Sequence, residues 1–394
     1  MNIKQKKQKI FLASICFVMG ALGSKVSLAY WASSVTGSAT APNGTVNAGT
    51  WDRYATGTAI SSCTVLRNSV LNVNTSGTFY LTQNLNCSTA SSPNSTTSVF
   101  SGTLYGNGFT ISNYTISSSR RGLFYYLSGA KIQNLILDNI KVGTTSSRST
   151  GATGVLASTN NGANTTISKV RIYNSSVYTT TLGSGGGMIG RVTAGITIDN
   201  VMLQTVVVDS TGTNTGTGTG GIVGRMSAAV TMTDVYFEGS VTTGYNSGGI
   251  VGLNESTGIL NVTRAITYAN ASIRATSGYA AGVLGKNNHS GGQTLTDVFF
   301  TGPLYSPSNY AGTLYYGTAM TYTNAWAAQW SWSGTPTIAY TAMAGTSANY
   351  TTNYVALRSS LTTTWWTSSL PNIATNGRWT YDATTYLFEL KPKV

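Results

Sequence analysis

Few residues in this chain could do acid–base chemistry. Ten acidic side chains and one histidine occur in 394 residues. Polysaccharide cleavage needs carboxylates that converge on one groove, and the acidic residues offer two sub-clusters at most, Asp234 with Glu238 and Asp199 with Asp209. His289 lies in the polar stretch Lys-Asn-Asn-His-Ser-Gly-Gly, which contains no Ser-His-Asp motif. We therefore expect a solvated loop histidine and no catalytic site.

A further set of polar residues recurs at one position of an apolar pattern. Aligning Asp-Val-Tyr-Phe at Asp234 with Asp-Val-Phe-Phe at Asp297 defines it. The set is Asn134, Lys169, Asn200, Asp234, Arg264, Asp297 and Asn324. If the strands stack about 4.8 Å apart, three successive members alternate in charge, and the pattern predicts a structural ladder that stabilises turns. A catalytic or metal-binding role is the alternative.

Tryptophan is concentrated near the C-terminus. The residues are Trp326, Trp330, Trp332, Trp365, Trp366 and Trp379. Clustered tryptophans form either a platform on which sugars stack or a hydrophobic plug that covers the end of a core. The sequence favours the plug and leaves the glycan platform open.

The elements that must position these residues are repeats. Gly-Gly-Met-Ile-Gly at Gly186 returns as Gly-Gly-Ile-Val-Gly at Gly220 and Gly248, and as Ala-Gly-Val-Leu-Gly at Ala281. With weaker copies, the anchors are Gly122, Gly154, Gly187, Gly221, Gly249, Gly282 and Gly312. A period near thirty residues indicates stacked supersecondary units joined by loops of variable length.

Each anchor is followed by a second apolar run, rich in β-branched and aromatic residues, such as Val230 to Val241. These runs end in Gly, Ser, Thr and Asn and are typical of strands. Helix signals are scarce because the chain has 45 glycines and only 8% charged residues. We predict an all-β fold, a right-handed parallel β-helix (β-solenoid) with N-terminal and C-terminal caps.

The repeat resembles the GLUG family of bacterial surface repeats in its Gly-Gly-Ile-Val-Gly anchor and the Asn/Asp-hydrophobe strand that follows. Gly77 to Cys87 and Phe100 to Ile111 resemble the rungs that precede such repeats, and Gly377 to Asp382 resembles their closing segment. The resemblance implies an exported protein in which the repeat is architectural.

The N-terminus has the organisation of a signal peptide. Four lysines between Lys4 and Lys9 precede a short apolar core, Ile10 to Leu22, and a small-residue cleavage site ends at Ala29. The apolar stretch is too short for a membrane span. We therefore expect an extracellular protein without a transmembrane segment after cleavage.

Export bears on the cysteines. Cleavage would leave Cys63 and Cys87, and an extracellular pair is most simply a disulfide, with two free buried thiols as the alternative. No Cys/His spacing typical of zinc and no calcium-binding nonapeptide occurs, so we expect no metal and no cofactor.

The segment after the cleavage site resembles the export region of camelysin and TasA-type biofilm matrix proteins. Ala29-Tyr-Trp-Ala and Ala48-Gly-Thr-Trp-Asp52 are the matching steps, with Trp31 and Trp51 in place of Phe and Leu. The resemblance implies a Gram-positive exporter.

Charge suggests the class of partner. Five of the 23 basic residues lie in residues 1–29, which leaves 18 against ten acidic residues, a net charge of +8. The cations are scattered, which favours an anionic glycan or cell-wall polymer over nucleic acid. A charge excess that only maintains solubility is the alternative.

These observations predict five regions: a signal peptide (1–29), an extended segment (30–52), an N-terminal cap with the first rungs (53–118), β-helix repeats (119–325) and a Trp-rich C-terminal cap (326–394). The predicted function is a secreted or cell-wall-associated structural and adhesive surface protein that is not an enzyme. The alternatives are a polysaccharide lyase or hydrolase, and a biofilm-matrix subunit that self-assembles through its N-terminal segment.

Overall fold

A computed structural model describes residues 54–180, 182–255, 257–306, 311–312, 314–328, 354–355, 361–384 and 387–391. The predicted signal peptide, the segment 30–52, Trp330 and Trp332 lie outside these residues. Within the described part of the chain, no helix has the length and hydropathy needed to cross a bilayer.

The described chain winds through three parallel sheets. Sheet 1 contains β1 (Thr58–Ile60), β2 (Thr78–Leu81), β3 (Leu85–Asn86), β5 (Thr103–Tyr105), β6 (Thr110–Ser112), β7 (Thr115–Ile116), β9 (Lys131–Gln133), β10 (Ile136–Asp138), β11 (Lys141–Val142), β14 (Thr165–Ser168), β15 (Arg171–Tyr173), β16 (Ser176–Thr179), β19 (Ile196–Ser210), β22 (Val230–Thr243), β25 (Leu260–Ala275), β28 (Thr294–Thr301), β29 (Leu304–Tyr305), β32 (Thr321–Ala328) and β33 (Tyr354–Val355). Sheet 2 contains β4 (Val99–Phe100), β8 (Phe124–Leu127), β13 (Ala157–Asn160), β18 (Ile189–Val192), β21 (Val223–Met226), β24 (Val251–Asn254), β27 (Leu284–Asn287) and β31 (Tyr315–Gly317). Sheet 3 contains β12 (Thr153–Gly154), β17 (Gly185–Gly186), β20 (Gly218–Gly220), β23 (Asn246–Gly248), β26 (Tyr279–Ala281) and β30 (Ala311–Gly312).

The predicted β-solenoid is confirmed by this pairing. Ile189, Val223, Val251 and Leu284 pair in sequence on neighbouring strands of sheet 2, and each is 0% exposed. Each such side chain stabilises the fold by about 1.5 to 3 kcal/mol relative to exposure. Stacking like residues at one spacing therefore produces a continuous core along the coil axis.

The anchor glycines mark the step from sheet 3 to sheet 2. A Cβ at Gly187 would collide with the carbonyl oxygen of Gly221, and a Cβ at Gly221 with that of Gly249. Glycine is required because adjacent coils approach each other closely here.

Two anchors need correction by one position. Gly154 pairs with Gly186, and Gly312 pairs with Ala281. Both therefore belong to the column of the first residue of the motif, because Ala157 and Ile189, three residues after Gly154 and Gly186, are themselves paired.

The N-terminal end of the described coil carries a short helix α1 (Cys63–Leu66) and a π-helical turn (Arg67–Leu71). The disulfide between Cys63 and Cys87 is confirmed and ties α1 to the first coils. The strands between Thr58 and Ile116 pair in parallel with those that follow them, so sheet 1 continues on both sides of the predicted boundary at residue 118.

Arg120 fixes this end from inside. Its guanidinium is 0% exposed and donates to the carbonyl oxygens of Leu71 and Leu123, at 2.7 and 2.8 Å, and to the hydroxyl of Ser98 at 2.8 Å. Burial lowers the pKa of Arg120 to about 10, so the side chain remains a cation at neutral pH.

After sheet 1 the chain ends in what we name the C-terminal segment, residues 361–384 and 387–391. It contains α2 (Thr363–Ser369), α3 (Pro371–Ala374) and an antiparallel hairpin of β34 (Trp379–Asp382) and β35 (Leu387–Leu390). Thr362 caps α2 by accepting a hydrogen bond from the amide of Trp365, and Pro371 begins α3. This segment packs on the outer surface of sheet 1.

Candidate functional site

The candidate site is the contact between sheet 1 and the C-terminal segment, which we call the seam. It contains the predicted polar ladder. Strand pairing places the seven ladder residues in one column. The column lies at the bend between β9 and β10 and at the matching position of each later coil, which we call the first bend. All seven have φ between 49° and 55°.

This backbone conformation explains the residue types. Asn and Asp tolerate the left-handed region better than other residues with a Cβ, since their side chains can bond locally. Lys169 and Arg264 adopt it at a cost of about 1 to 2 kcal/mol each. For Arg264 that cost is offset by an ion pair.

Asp234 is the centre of the seam and is 0% exposed. Its carboxylate accepts two hydrogen bonds from Arg264 on the next coil, Nε to Oδ1 at 2.6 Å and Nη2 to Oδ2 at 3.0 Å. From the C-terminal segment it accepts Arg378 Nη1 at 2.6 Å and Trp379 Nε1 at 3.0 Å. Asn376 Nδ2 adds a contact at 3.1 Å.

These donors decide the protonation state of Asp234. Burial by itself would raise its pKa, but the hydrogen bonds from Arg264 and Trp379 and the charges of Arg264 and Arg378 outweigh burial, and the net pKa is lowered. The hydrogen bond to Asp234 in turn raises the pKa of Arg264. The pair is therefore fully ionised at neutral pH.

The C-terminal segment contacts the ladder at further points. Arg378 also bonds Asp199 at 2.9 Å, so one cation joins two carboxylates. Asp297 accepts from Asn372 at 2.7 Å and from Asn324 at 2.9 Å.

Arg171 extends these contacts toward the end of the described chain. Its Nη2 donates to the side chain of Asn200 at 2.7 Å and to the carbonyl oxygen of Lys391 at 3.0 Å. Of the ladder residues, Asp234 and Asp297 thus accept hydrogen bonds from the segment directly, and Asn200 is joined to it through Arg171.

An apolar row lies beside the ladder. Met202, Tyr236, Ile266 and Phe299 pair on successive strands, point outward and are at most 3% exposed. They pack with Leu361, Trp366, Leu370, Ile373, Trp379, Leu387, Phe388 and Leu390 of the C-terminal segment. The seam is thus a second hydrophobic core outside the coil.

Of the four described tryptophans, two are buried and two are half-buried. Trp366 is 0% and Trp379 3% exposed, so the glycan platform is wrong for these two, whose rings are covered by neighbouring side chains. Trp326 and Trp365 are half-buried against the same cluster. The described tryptophans pack on the side of the coil, and closure of its end stays a prediction.

Two carboxyl groups that interact, those of Glu238 and Glu389, lie at the edge of the seam. Tyr236 donates to Glu238 at 3.3 Å. Burial raises the pKa of Glu389, and the negative charges of Glu238 and Asp382 raise it further. A cavity of about 250 Å³ beside it is lined by Tyr173, Met202, Gln204, Thr380, Tyr381, Asp382, Glu389, Leu390 and Lys391.

Asp209, considered above from the sequence, and Glu255 are both ion-paired. Asp209 bonds Arg148 at 2.9 Å, and Glu255 bonds Arg225 and lies 3.8 Å from Arg191. Arg378 links Asp199 to Asp234, so Asp199 does not pair with Asp209 as the sequence suggested. His289 lies in the loop between β27 and β28, half-buried, and its backbone bonds Asn287. No group of three His, Cys, Asp or Glu side chains among the described residues could hold a metal ion.

Sequence reasoning missed the partners of the ladder, namely Asn372, Asn376, Arg378 and Trp379. Besides the tryptophan cluster, one signal was available. Runs such as Val235-Tyr236-Phe237 are apolar at three consecutive positions, whereas a strand with one solvent face alternates. Such runs indicate strands buried on both faces.

A family model matches the first coils of the chain. The model of the M26 IgA1-specific metallo-endopeptidase N-terminal region matches residues 68–173. No curated protein sequence matches the chain.

One similar solved structure is a proposed immunoglobulin A1 protease from Bacteroides ovatus. It is 14% identical, covers 85% of this chain and 92% of its own, and has a TM-score of 0.48. The resemblances to GLUG repeats and to camelysin and TasA-type proteins stay predictions.

Proposed function

We propose that this protein is a secreted or cell-surface structural and adhesive element, a β-solenoid without catalytic activity. The observation that carries the proposal is Asp234, the most buried acidic group of the seam, whose carboxylate is bonded by Arg264, Arg378 and Trp379. A carboxylate held in this way attaches the C-terminal segment and is not free for acid–base chemistry.

The family match favours a second candidate, cleavage of immunoglobulin A1 by a metallo-endopeptidase. The matched residues 68–173 lie in the first coils. The zinc motif His-Glu-x-x-His needs two histidines, and the sequence contains one. We therefore propose an architectural role for this region and no peptidase activity of this chain.

A glycan-active enzyme is favoured by one observation, the raised pKa of Glu389 beside Glu238. A carboxyl group with a raised pKa next to a second carboxylate is the arrangement of a general acid in glycoside hydrolysis. Against it, Tyr236 donates to Glu238 and its ring packs against the hairpin, which gives this edge a structural role in docking the hairpin.

A row of cations supports the proposed adhesive partner, an anionic glycan or wall polymer. Arg191, Arg225, Leu253 and Lys286 occupy successive strands of sheet 2 at one register. Glu255 is the carboxylate that pairs with two of them. Three cations against one carboxylate leave this row positive, which attracts polyanions.

Binding and turnover assays on the purified protein test these proposals. We expect retention of an anionic glycan that weakens with salt and in the variants Arg225→Gln and Lys286→Gln. Lys141→Gln, an exposed cation of sheet 1, is the matched control and should bind normally. Release of reducing ends that is abolished by Glu389→Gln would establish the glycan-active enzyme, and fragmentation of immunoglobulin A1 the peptidase.

The remaining hypothesis, a self-assembling matrix subunit, depends on residues 30–50, which lie outside the described part of the chain. Electron microscopy of the processed protein tests it, since fibres that require this segment would support self-assembly.

A further inference from the structure

One outer face of sheet 1 carries two parallel rows of short polar side chains. The positions Thr197, Thr231, Asn261, Thr294 and Thr321 pair in sequence on β19, β22, β25, β28 and β32. Two residues further along each strand, Asp199, Thr233, Thr263, Thr296 and Thr323 form a second row in the same register. We call these ten positions the threonine face.

The face is regular and points away from the core. The residues between the two rows, Ile198, Met232, Val262 and Leu295, are 0% exposed and point inward. The threonines themselves are exposed or half-buried. Since each strand alternates and the register is unbroken from Thr197 to Thr323, the side chains form a two-dimensional lattice.

The lattice spacings can be compared with those of ordered water. Neighbouring coils lie about 4.8 Å apart, and alternate residues of one strand about 6.7 Å apart. Water hydrogen-bonded tetrahedrally at about 2.75 Å places second neighbours about 4.5 Å apart and repeats about every 7.3 Å in the perpendicular direction. The face therefore approximates both repeats of ice.

The side-chain chemistry favours the same partner. Threonine offers a hydroxyl and a methyl group on a stiff, β-branched side chain, so little rotamer freedom is lost on binding. Among the ten positions Asp199 is the one charge, it is ion-paired with Arg378 at the edge of the face, and none of the ten is aromatic. A surface for crystalline polysaccharide would present aromatic rings for stacking.

We propose that the threonine face binds ice. The proposal goes beyond the proposed function and does not depend on a glycan partner. It concerns recognition of a periodic solid by a rigid array, in which each coil contributes one pair of side chains.

The test is incorporation of the purified protein into slowly growing ice, together with the shape of the crystals that grow in its presence. Thr263→Lys and Thr296→Lys place a long charged side chain in the centre of the face and should lose incorporation. Thr263→Val preserves shape and removes only the hydroxyl, and its incorporation should fall below that of the wild type. This variant keeps the test valid if a lysine variant fails to fold. Thr242→Lys, on another part of β22 and also half-buried, is the matched control and should behave as the wild type.

Two results would overturn the proposal. One is incorporation of the wild type no greater than that of an unrelated globular protein. The other is retention on crystalline cellulose or chitin without incorporation into ice, which would assign the face to a polysaccharide surface.

Discussion

Two bends of the coil both contain residues at positive φ, but different side-chain contacts stabilise them. At the second bend, between β10 and β11, Asn139 has a φ of 52° and donates to Asn113 at 2.8 Å, and Asn113 donates to Asn86 at 3.1 Å. At the first bend, Asp234 also has a φ of 52°, but its partners are Arg264 and the C-terminal segment.

The difference between the two bends follows from whether each is exposed to solvent or covered. The asparagine ladder faces solvent, where neutral amides satisfy each other and water satisfies the rest. The first bend of the later coils is covered by a second element, and there the column becomes charged. Left-handed backbone thus selects for Asn and Asp, while burial beneath a docked segment decides between amide and ion pair.

The largest expected effect comes from replacing Asp234 by glycine, which adopts positive φ freely and removes only the side chain. Asp234→Gly leaves Arg264 and Arg378 without their shared carboxylate. We expect a loss of about 3 to 5 kcal/mol in the free energy of unfolding, measured by urea denaturation, with proteolysis of the C-terminal segment at lower protease concentration. A loss below about 1 kcal/mol would mean that the apolar row alone holds the segment.

Removing the cation should cost less, because Arg264 is partly exposed. Arg264→Ala deletes two charge-assisted hydrogen bonds to Asp234 while Arg378, Trp379 and Asn376 remain. We expect a loss of about 1.5 to 3 kcal/mol in the same measurement. Arg264→Lys retains the charge and should recover part of it; equal losses for both variants would show that charge contributes nothing here.

Acid should weaken the seam before it weakens the asparagine ladder. The folded pKa of Asp234 lies below its ordinary value of 3.8, so its contribution is present above that value and is lost as pH falls through the folded pKa. Glu389 has the opposite sign, because a raised pKa removes its contribution as pH rises through the folded value. Denaturation midpoints between about pH 2 and pH 6 should show an acid-side loss that is smaller in Asp234→Gly, where the other ion-paired carboxylates still titrate.

The smallest effect is expected at the exposed ladder. Asn139→Gly keeps the same φ and loses one amide contact near solvent, so the free energy of unfolding should change by no more than about 1 kcal/mol. The urea midpoint checks this, and a change as large as that of Asp234→Gly would remove the distinction between the two bends.

The coil itself was predictable from the sequence. The glycine motif requires close contact between backbones, and the strand runs are β-branched, so repeat and strand could be recognised without a structure. The one-residue error at Gly154 and Gly312 arose because glycines occupy adjacent positions of the motif, and only the pairing of strands distinguishes them.

The seam was not predictable as a whole. The ladder could be aligned because it recurs within each repeat, but Arg378 lies 144 residues from Asp234. A contact between a repeated and a non-repeated element leaves no periodic trace. Its sequence signals were the tryptophan cluster and the strand runs that are apolar at consecutive positions. Each of these signals was also consistent with other structures.

The close contact of Gly187 with Gly221, and of Gly221 with Gly249, bears on how the molecule can change in length. Because the tight step recurs at one point of each turn while the loops between strands vary, a whole turn is the natural unit of insertion or deletion. Duplicating the stretch from one glycine step to the next would lengthen the protein by about one strand spacing, near 4.8 Å, and leave its cross-section unchanged. The coil can therefore become longer in fixed increments without a new type of core.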